Sequence, residues 1–304
     1  MSTTPLVSIG LVLHNRDRFL EASIESFLNQ TFKDFELIIS DDCSTDRGEE
    51  ICRRYAAQDS RIRYYRNQRN MGAEWNVRRI HELATGKYFM QAAHDGMIQP
   101  DFLSLCLDPL EADDSLVLAH SLIRVIDEDG QLLENYDDQL RTSSPAPLVR
   151  ARDLLLKSHR CHPISGLIRR DALHKLPPQG SHAHSDRVLL LQLGLLGRFY
   201  EVPEYLFIRT RHSSQSVATM TERTAARKVA LPGWNAAKEF ILSVTHSPLG
   251  RGQRLRCYGV IARWVFKYHS RIARDLFIAS EAAAASTPAK ILPLELNTRR
   301  GESI

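Results

Sequence analysis

Apolar runs and amphipathic stretches alternate along the first 125 residues, each about as long as one regular element. Val7–Leu13 is almost unbroken in its apolar character, the pattern of a strand covered on both faces of a parallel sheet. Between residues 16 and 30, Phe19, Leu20, Ile24, Phe27 and Leu28 recur at helical spacing with charges on the other face. Residues 35–40 predict a second strand, 46–58 a second helix, and 61–66, with Ile62, Tyr64 and Tyr65, a third strand. Asn70-Met71-Gly72 is a turn opening a helix that reaches Ala84, where Thr85-Gly86 stops it. Tyr88–Ala92 predicts a fourth strand ending at His94-Asp95-Gly96, and Pro100 starts another helix. Leu116–Ile126 reads as a further strand, closed by the turn at residues 127–130. Strands separated by single helices need crossover connections, so the expected class is α/β with a doubly wound, mostly parallel sheet.

The pattern then loosens. Residues 135–150 are rich in Asp, Ser and Pro and predict a surface loop. Residues 164–169 and 205–211 read as strands flanking a helix over Ser185–Leu196. From about 221 to 285 the period is helical, a C-terminal extension carrying Phe240, Ile241, Val244, Val260, Ile261, Trp264 and Val265. Residues 286–304 have no apolar stripe and predict a loose tail.

Composition narrows the function classes. A net charge of +4 over 304 residues is too small and too dispersed to point to nucleic acid. It suits anionic small ligands or loose peripheral contact with an acidic membrane. The arginines between 251 and 274 are either a solvated helix face or the basis of such a contact. No leader-like start or membrane-spanning run is evident, and five cysteines without metal spacing suit reduced thiols in the cytoplasm. His182 and His184 could share a zinc ion on one strand face, but no cysteine or acid at suitable spacing completes a site.

The chemistry concentrates where the second strand ends. Asp41 and Asp42 follow a buried run directly, then Cys43, Ser44, Thr45 and Asp46. Carboxylates at the C-terminal ends of strands in an open α/β sheet stand where such folds bind ligands, and adjacent acids and hydroxyls suit a nucleoside. Asp46 with Glu49 equally suits a solvated turn and helix cap. The wider context resembles the family 2 glycosyltransferases of the GT-A fold. It comprises residues 7–9 with His14-Asn15, the stretch from Ser26 through Asp46, Asn70-x-Gly72, residues 84–88, and Asp95 through Pro100. This resemblance covers residues 5–125 and, more weakly, 160–217.

It implies transfer of a sugar from a nucleoside-diphosphate donor to a hydroxyl acceptor, with inversion and a divalent cation, Mn²⁺ or Mg²⁺. Residues 1–130 would be the donor half, 131–217 the acceptor half and 218–285 a helical region. His14, Asp42, Asn70 and Asp95 would bind the nucleotide, with Asp41 supporting the turn. Asp95, His94 and His212 would face the metal, Arg209 and Arg211 the phosphates, and Asp186 would be the general base. The family's Asp-x-Asp-Asp reads Ala93-His94-Asp95-Gly96 here, which puts the cation in question, because an acid at 96 would be expected to face it. That departure keeps a second reading open: a nucleotide-sugar-binding protein without catalysis. A sugar nucleotidyltransferase is less well supported, since residues 11–18 lack a Gly-rich phosphate loop.

Overall fold

The computed structural model describes residues 4–177, 184–211 and 232–270. The chain runs β1 (Val7–Leu13), α1 (Leu20–Leu28), β2 (Phe35–Asp41), α2 (Gly48–Gln58), β3 (Ile62–Arg66), α3 (Ala73–Leu83) and β4 (Tyr88–Ala92). Then come β5 (Gly96–Ile98), α4 (Phe102–Ala112), β6 (Leu116–Ile126), β7 (Leu132–Tyr136) and α5 (Pro147–Leu156). A 3₁₀ turn (His162–Ser165), β8 (Leu167–Arg169), α6 (Arg170–His174), α7 (Ser185–Leu196) and β9 (Arg198–Thr210) follow, and α8 (Pro232–Thr245) and α9 (Arg251–Lys267) close the described chain.

The unbroken apolar runs are buried for the expected reason: both faces of the sheet are covered. Successive side chains of a strand point to opposite faces. Leu37 and Ile39 accordingly join Leu20, Ile24, Phe27, Ile51 and Cys52 on the α1–α2 side, while Ile38 packs with Ile80, Ala84 and Phe89 on the α3 side. The strand order is β3-β2-β1-β4-β8-β6-β9-β5, with β7 paired to β6. β1 to β4 are mutually parallel, β8 runs against both β4 and β6, and β6 and β9 are parallel. The sheet is therefore mixed, with β1 to β4 as one parallel block and β6 and β9 as a second parallel pair.

A second apolar cluster joins α5, α7, α8 and α9 through Leu155, Leu191, Phe240, Val244, Val260 and Trp264. It braces α7, whose first turn carries Asp186. Arg187 adds to this by donating to the carbonyls of Leu154, Leu155 and Lys157 at 2.8, 3.3 and 3.3 Å, satisfying the open C-terminal end of α5.

Several boundaries differ from the pattern reading. The 135–150 stretch is bounded by β7 on one side and α5 on the other. β7 lacks a buried face, with Leu132 and Leu133 exposed, and so carries no strand signature. α5 begins on Pro147, a first-turn position where the missing N–H has no helical partner anyway. The strand expected over 164–169 is a 3₁₀ turn followed by three strand residues. β9 starts seven residues ahead of the expected 205, at Arg198, because β6 pairs with it along its length. The expected helical stretches 221–231 and 271–285 and the tail lie outside the described residues.

Candidate active site

The parallel register of β1 and β2 sets Leu13 opposite Asp41, so His14 and Asp42 leave the sheet together. Asp41 is fully buried and works within the loop. Its Oδ1 accepts from the Ser44 amide at 2.9 Å and the Ser44 hydroxyl at 2.5 Å, and its Oδ2 from the Tyr64 hydroxyl at 2.7 Å. This is the turn-supporting place the resemblance implied. Asp42 reaches across to the next loop: Oδ1 accepts from Asn67 Nδ2 (2.8 Å) and the Met71 amide (2.7 Å), Oδ2 from the Gly72 amide (2.8 Å). Gly72 sits at φ +91°, a conformation that favours glycine. Asn67 is itself held by Arg79, 3.0 Å away. Among the described residues three donors reach Asp42, two on Oδ1 and one on Oδ2, which leaves Oδ2 one further acceptor position.

His14 and Asn70 complete this wall. His14 Nδ1 lies 2.8 Å from the Asp42 carbonyl, which can only accept, so Nδ1 carries the proton. Nε2 is then the acceptor for Asn70 Nδ2 at 3.0 Å, and Asn70 Oδ1 accepts from the Gly72 amide at 2.9 Å. Three of the implied nucleotide residues, His14, Asp42 and Asn70, thus form one hydrogen-bonded rim at the carboxyl ends of β1 and β2.

β4 lies on the other side of β1, with Leu11 opposite Ala92, and delivers residues 93–96 to the same rim. Asp95 is buried to 5% exposure, and its carbonyl accepts from the Thr210 amide at 3.2 Å. Gly96 pairs with Arg209 in the β5–β9 ladder. A β-carbon added at Gly96 would lie 2.8 Å from Cζ of Phe207. A side chain at position 96 would therefore meet a buried aromatic ring, which would have to move to admit the acid of the family motif.

Among the described residues no three His, Cys, Asp or Glu side chains gather as a metal site. A cation shared with a diphosphate needs only one or two carboxylates and keeps its waters. Asp95, with His94 beside it, fits that lesser demand and not a cation held by protein alone. His212 lies outside the described residues, as does His182. His184 sets its ring edge-on to Trp264.

Asp186 opens to solvent at the start of α7. The protein packed around its carboxyl raises its pKa above the ordinary 3.8, and the Arg209 charge opposes the rise. Arg209 thus links two parts of the chain: paired with Gly96 next to Asp95, it also acts on Asp186. Arg209 and Arg211 line a small cavity with Val125, Arg160 and His162. The pattern reading missed Arg160 and His162 as partners of the 209–211 arginines. They stand nearly fifty residues from those arginines in the chain, beyond the reach of any local pattern.

The sequence profile of glycosyl transferase family 2 matches residues 8–176, more than half of the chain. The chain belongs to glycosyl transferase family 2. This family 2 chain is 35% identical over 135 residues to a chondroitin synthase of Escherichia coli, covering 44% of the chain and 20% of that protein. It is 33% identical over 134 residues to an uncharacterized glycosyltransferase of Methanocaldococcus jannaschii, covering 43% and 46%. The matched segment thus spans less than half of either relative. Among solved structures it resembles Staphylococcus aureus TarS 1–349 in complex with UDP-GlcNAc, with a TM-score of 0.64 at 14% identity over 87% of this chain and 72% of that one. It also resembles the mannosyltransferase PcManGT of Pyrobaculum calidifontis in complex with GDP-Man and Mn²⁺, with a TM-score of 0.54 at 13% identity over 94% and 82%. These likenesses establish the GT-A fold. No helix among the described residues is long and apolar enough to cross a membrane.

Proposed function

We propose that the chain is a glycosyltransferase that moves a sugar from a nucleoside-diphosphate donor to a hydroxyl acceptor by single, inverting displacement. One observation carries this reading: the charge of Arg209 reaches from the strand-end acids to Asp186, in the first turn of α7. Asp42 and Asp95 leave the same sheet edge, and Arg209 pairs with Gly96 next to Asp95. Family membership and neighbours that bind UDP-GlcNAc or GDP-Man support the donor class.

In this reading the His14–Asp42–Asn70 rim holds the base and ribose, with the free position on Asp42 Oδ2 accepting a base N–H. Asp95 takes the diphosphate side, where a Mn²⁺ or Mg²⁺ ion would neutralise phosphate charge. Asp186 accepts the proton of the acceptor hydroxyl as that oxygen bonds to the anomeric carbon, and the carbon–oxygen bond to the nucleoside diphosphate breaks. A raised pKa suits this role, since a base works best when its pKa approaches the working pH. Residues 1–130 form the donor half and 131–217 the acceptor half, and a cytoplasmic location fits the free cysteines among the described residues.

The packing of Phe207 against Gly96 favours one rival, a protein that binds the nucleotide sugar without turning it over. Calorimetric titration with UDP and Mn²⁺, run beside a transfer assay using UDP-, GDP- and dTDP-sugars, separates the two. Turnover that Asp186→Asn abolishes supports transfer. Tight binding with no turnover for any donor overturns it.

A further inference from the structure

We propose that the cavity formed by Arg160, His162, Arg209 and Arg211 binds one anionic group of the acceptor, a carboxylate or a phosphodiester, and so holds the acceptor beside Asp186. The proposal rests on the transfer reading above and adds to it the chemical class of the acceptor.

The cavity is about 200 Å³, below the roughly 300–1,000 Å³ of pockets that enclose a whole ligand. It suits one functional group better than a nucleotide. Its wall is strongly cationic. Arg160 meets Glu134 at 2.8 and 3.3 Å and Arg211 meets the same carboxylate at 3.2 Å, so one acid serves two guanidinium groups. Arg209 has no ion pair among the described residues. Three arginines against one glutamate leave the wall two positive charges in excess. Forked guanidinium donors match carboxylate and phosphate oxygens.

His162 supplies the second, independent sign of a ligand. It is 6% exposed, and its Nε2 is buried with no hydrogen-bond partner among the described residues. A buried polar atom left unpaired is costly, and an anion in the cavity would satisfy it. Burial first, then the charges of Arg209 and Arg160, push the ring down to about 3, so it is a neutral donor and not a fourth cation. Tyr136 fixes the ring edge-on at 5.1 Å and receives Arg160 over its own face at 4.4 Å. The wall is held in place before anything binds.

Position separates this site from the donor rim. The cavity is lined by β6, β9, the residue following β9 and the loop before the 3₁₀ turn, with no residue from the ends of β1, β2 or β4. This differs from the donor-phosphate role that the resemblance implies for Arg209 and Arg211. The charge of Arg209 also acts on the Asp186 carboxyl, so an anion docked on Arg209 brings its carrier toward the proposed base.

The test uses the full chain and calorimetric titration with three probes: methyl glucuronide, glycerophosphoglycerol and neutral methyl glucoside. One anionic probe should bind at least tenfold more tightly than the glucoside, and the tighter of the two identifies the source of the charge. Arg160→Gln and His162→Gln should each weaken that probe at least fivefold and leave UDP affinity within twofold. Arg160→Lys, a milder change at a half-exposed site, should give an intermediate loss and guards against misfolding of the other variants. Equal binding of all three probes, or no effect of the variants on a correctly folded protein, overturns the proposal. Displacement of the probe by UDP also overturns it, and returns the cavity to the donor phosphates. Anion binding is read without turnover, so it can hold even if the transfer reading fails.

Discussion

Gly96 faces the ring of Phe207. A β-carbon on the glycine would come within 2.8 Å of the ring's Cζ, and Phe207, 4% exposed, is wedged in the main core near Phe102. Restoring the family acid at this position therefore meets a packed aromatic ring. We expect Gly96→Asp to lower stability by about 1–3 kcal/mol through overpacking, with no gain in Mn²⁺ affinity. Thermal denaturation and a Mn²⁺ titration in the presence of UDP check this; a stable variant with tighter metal binding would show that position 96 reaches the cation.

Asp186 should leave its mark on the pH profile. Although the residue opens to solvent, the protein packed around its carboxyl raises its pKa above the ordinary 3.8, against the pull of Arg209. A base acts only when ionised, so kcat/KM should hold above that raised pKa and fall as the pH drops through it. Asp186→Asn should lose roughly 10²–10⁴ in rate, about 3–5 kcal/mol, lose the acid limb, and keep donor affinity. Arg209→Gln should move the limb upward, since it removes the charge that favours the carboxylate.

Glu36 is a buried acid with a structural task. It accepts from Ser8 Oγ at 2.7 Å, the Thr85 amide and hydroxyl at 2.9 and 2.7 Å, and Arg63 Nη1 at 2.5 Å. Burial alone would raise its pKa, but these donors outweigh it and hold the carboxyl below the ordinary 4.5. A lowered folded pKa means stability that is complete above the unfolded value and lost as pH falls through the folded one. Glu36→Gln should cost about 1.5–3 kcal/mol at neutral pH and flatten the stability curve below pH 4.5. Urea denaturation across that range is the measurement.

The outer face of α9 suits a membrane surface. Five basic residues and no acid lie along Arg251–Lys267, and Leu255 (72% exposed) and Phe266 (78%) stand on the same side of the helix. Exposed apolar side chains beside arginines suit anionic lipid. The chain should sediment with vesicles rich in phosphatidylglycerol and not with phosphatidylcholine alone. Reversing Arg256 and Arg263 should abolish that binding, at about 1 kcal/mol or more per residue. Equal binding to neutral vesicles would assign the face to another partner.

The first four strands and their helices were legible because their determinants are local. A run such as Val7–Leu13 must be covered on both faces, and a strand that ends in Asp41-Asp42 must release those acids at a sheet edge. β7 stayed hidden because an edge strand with exposed leucines lacks the alternation that marks burial, and α5 because its polar flanks read as loop.

Sequence alone settled the family, the parallel core and the order of the acidic motifs, since hydrophobic period and turn residues act over short stretches. Tertiary structure decided what position 96 faces, which acceptor Asp42 keeps free, and that Arg160 and His162 meet Arg209 and Arg211. The contacts of position 96 and of the arginine cavity depend on β9 pairing with both β6 and β5, and those of Asp42 on the loops after β2 and β3 meeting. Long-range strand register is set by the packing of the whole sheet, and no local pattern specifies it.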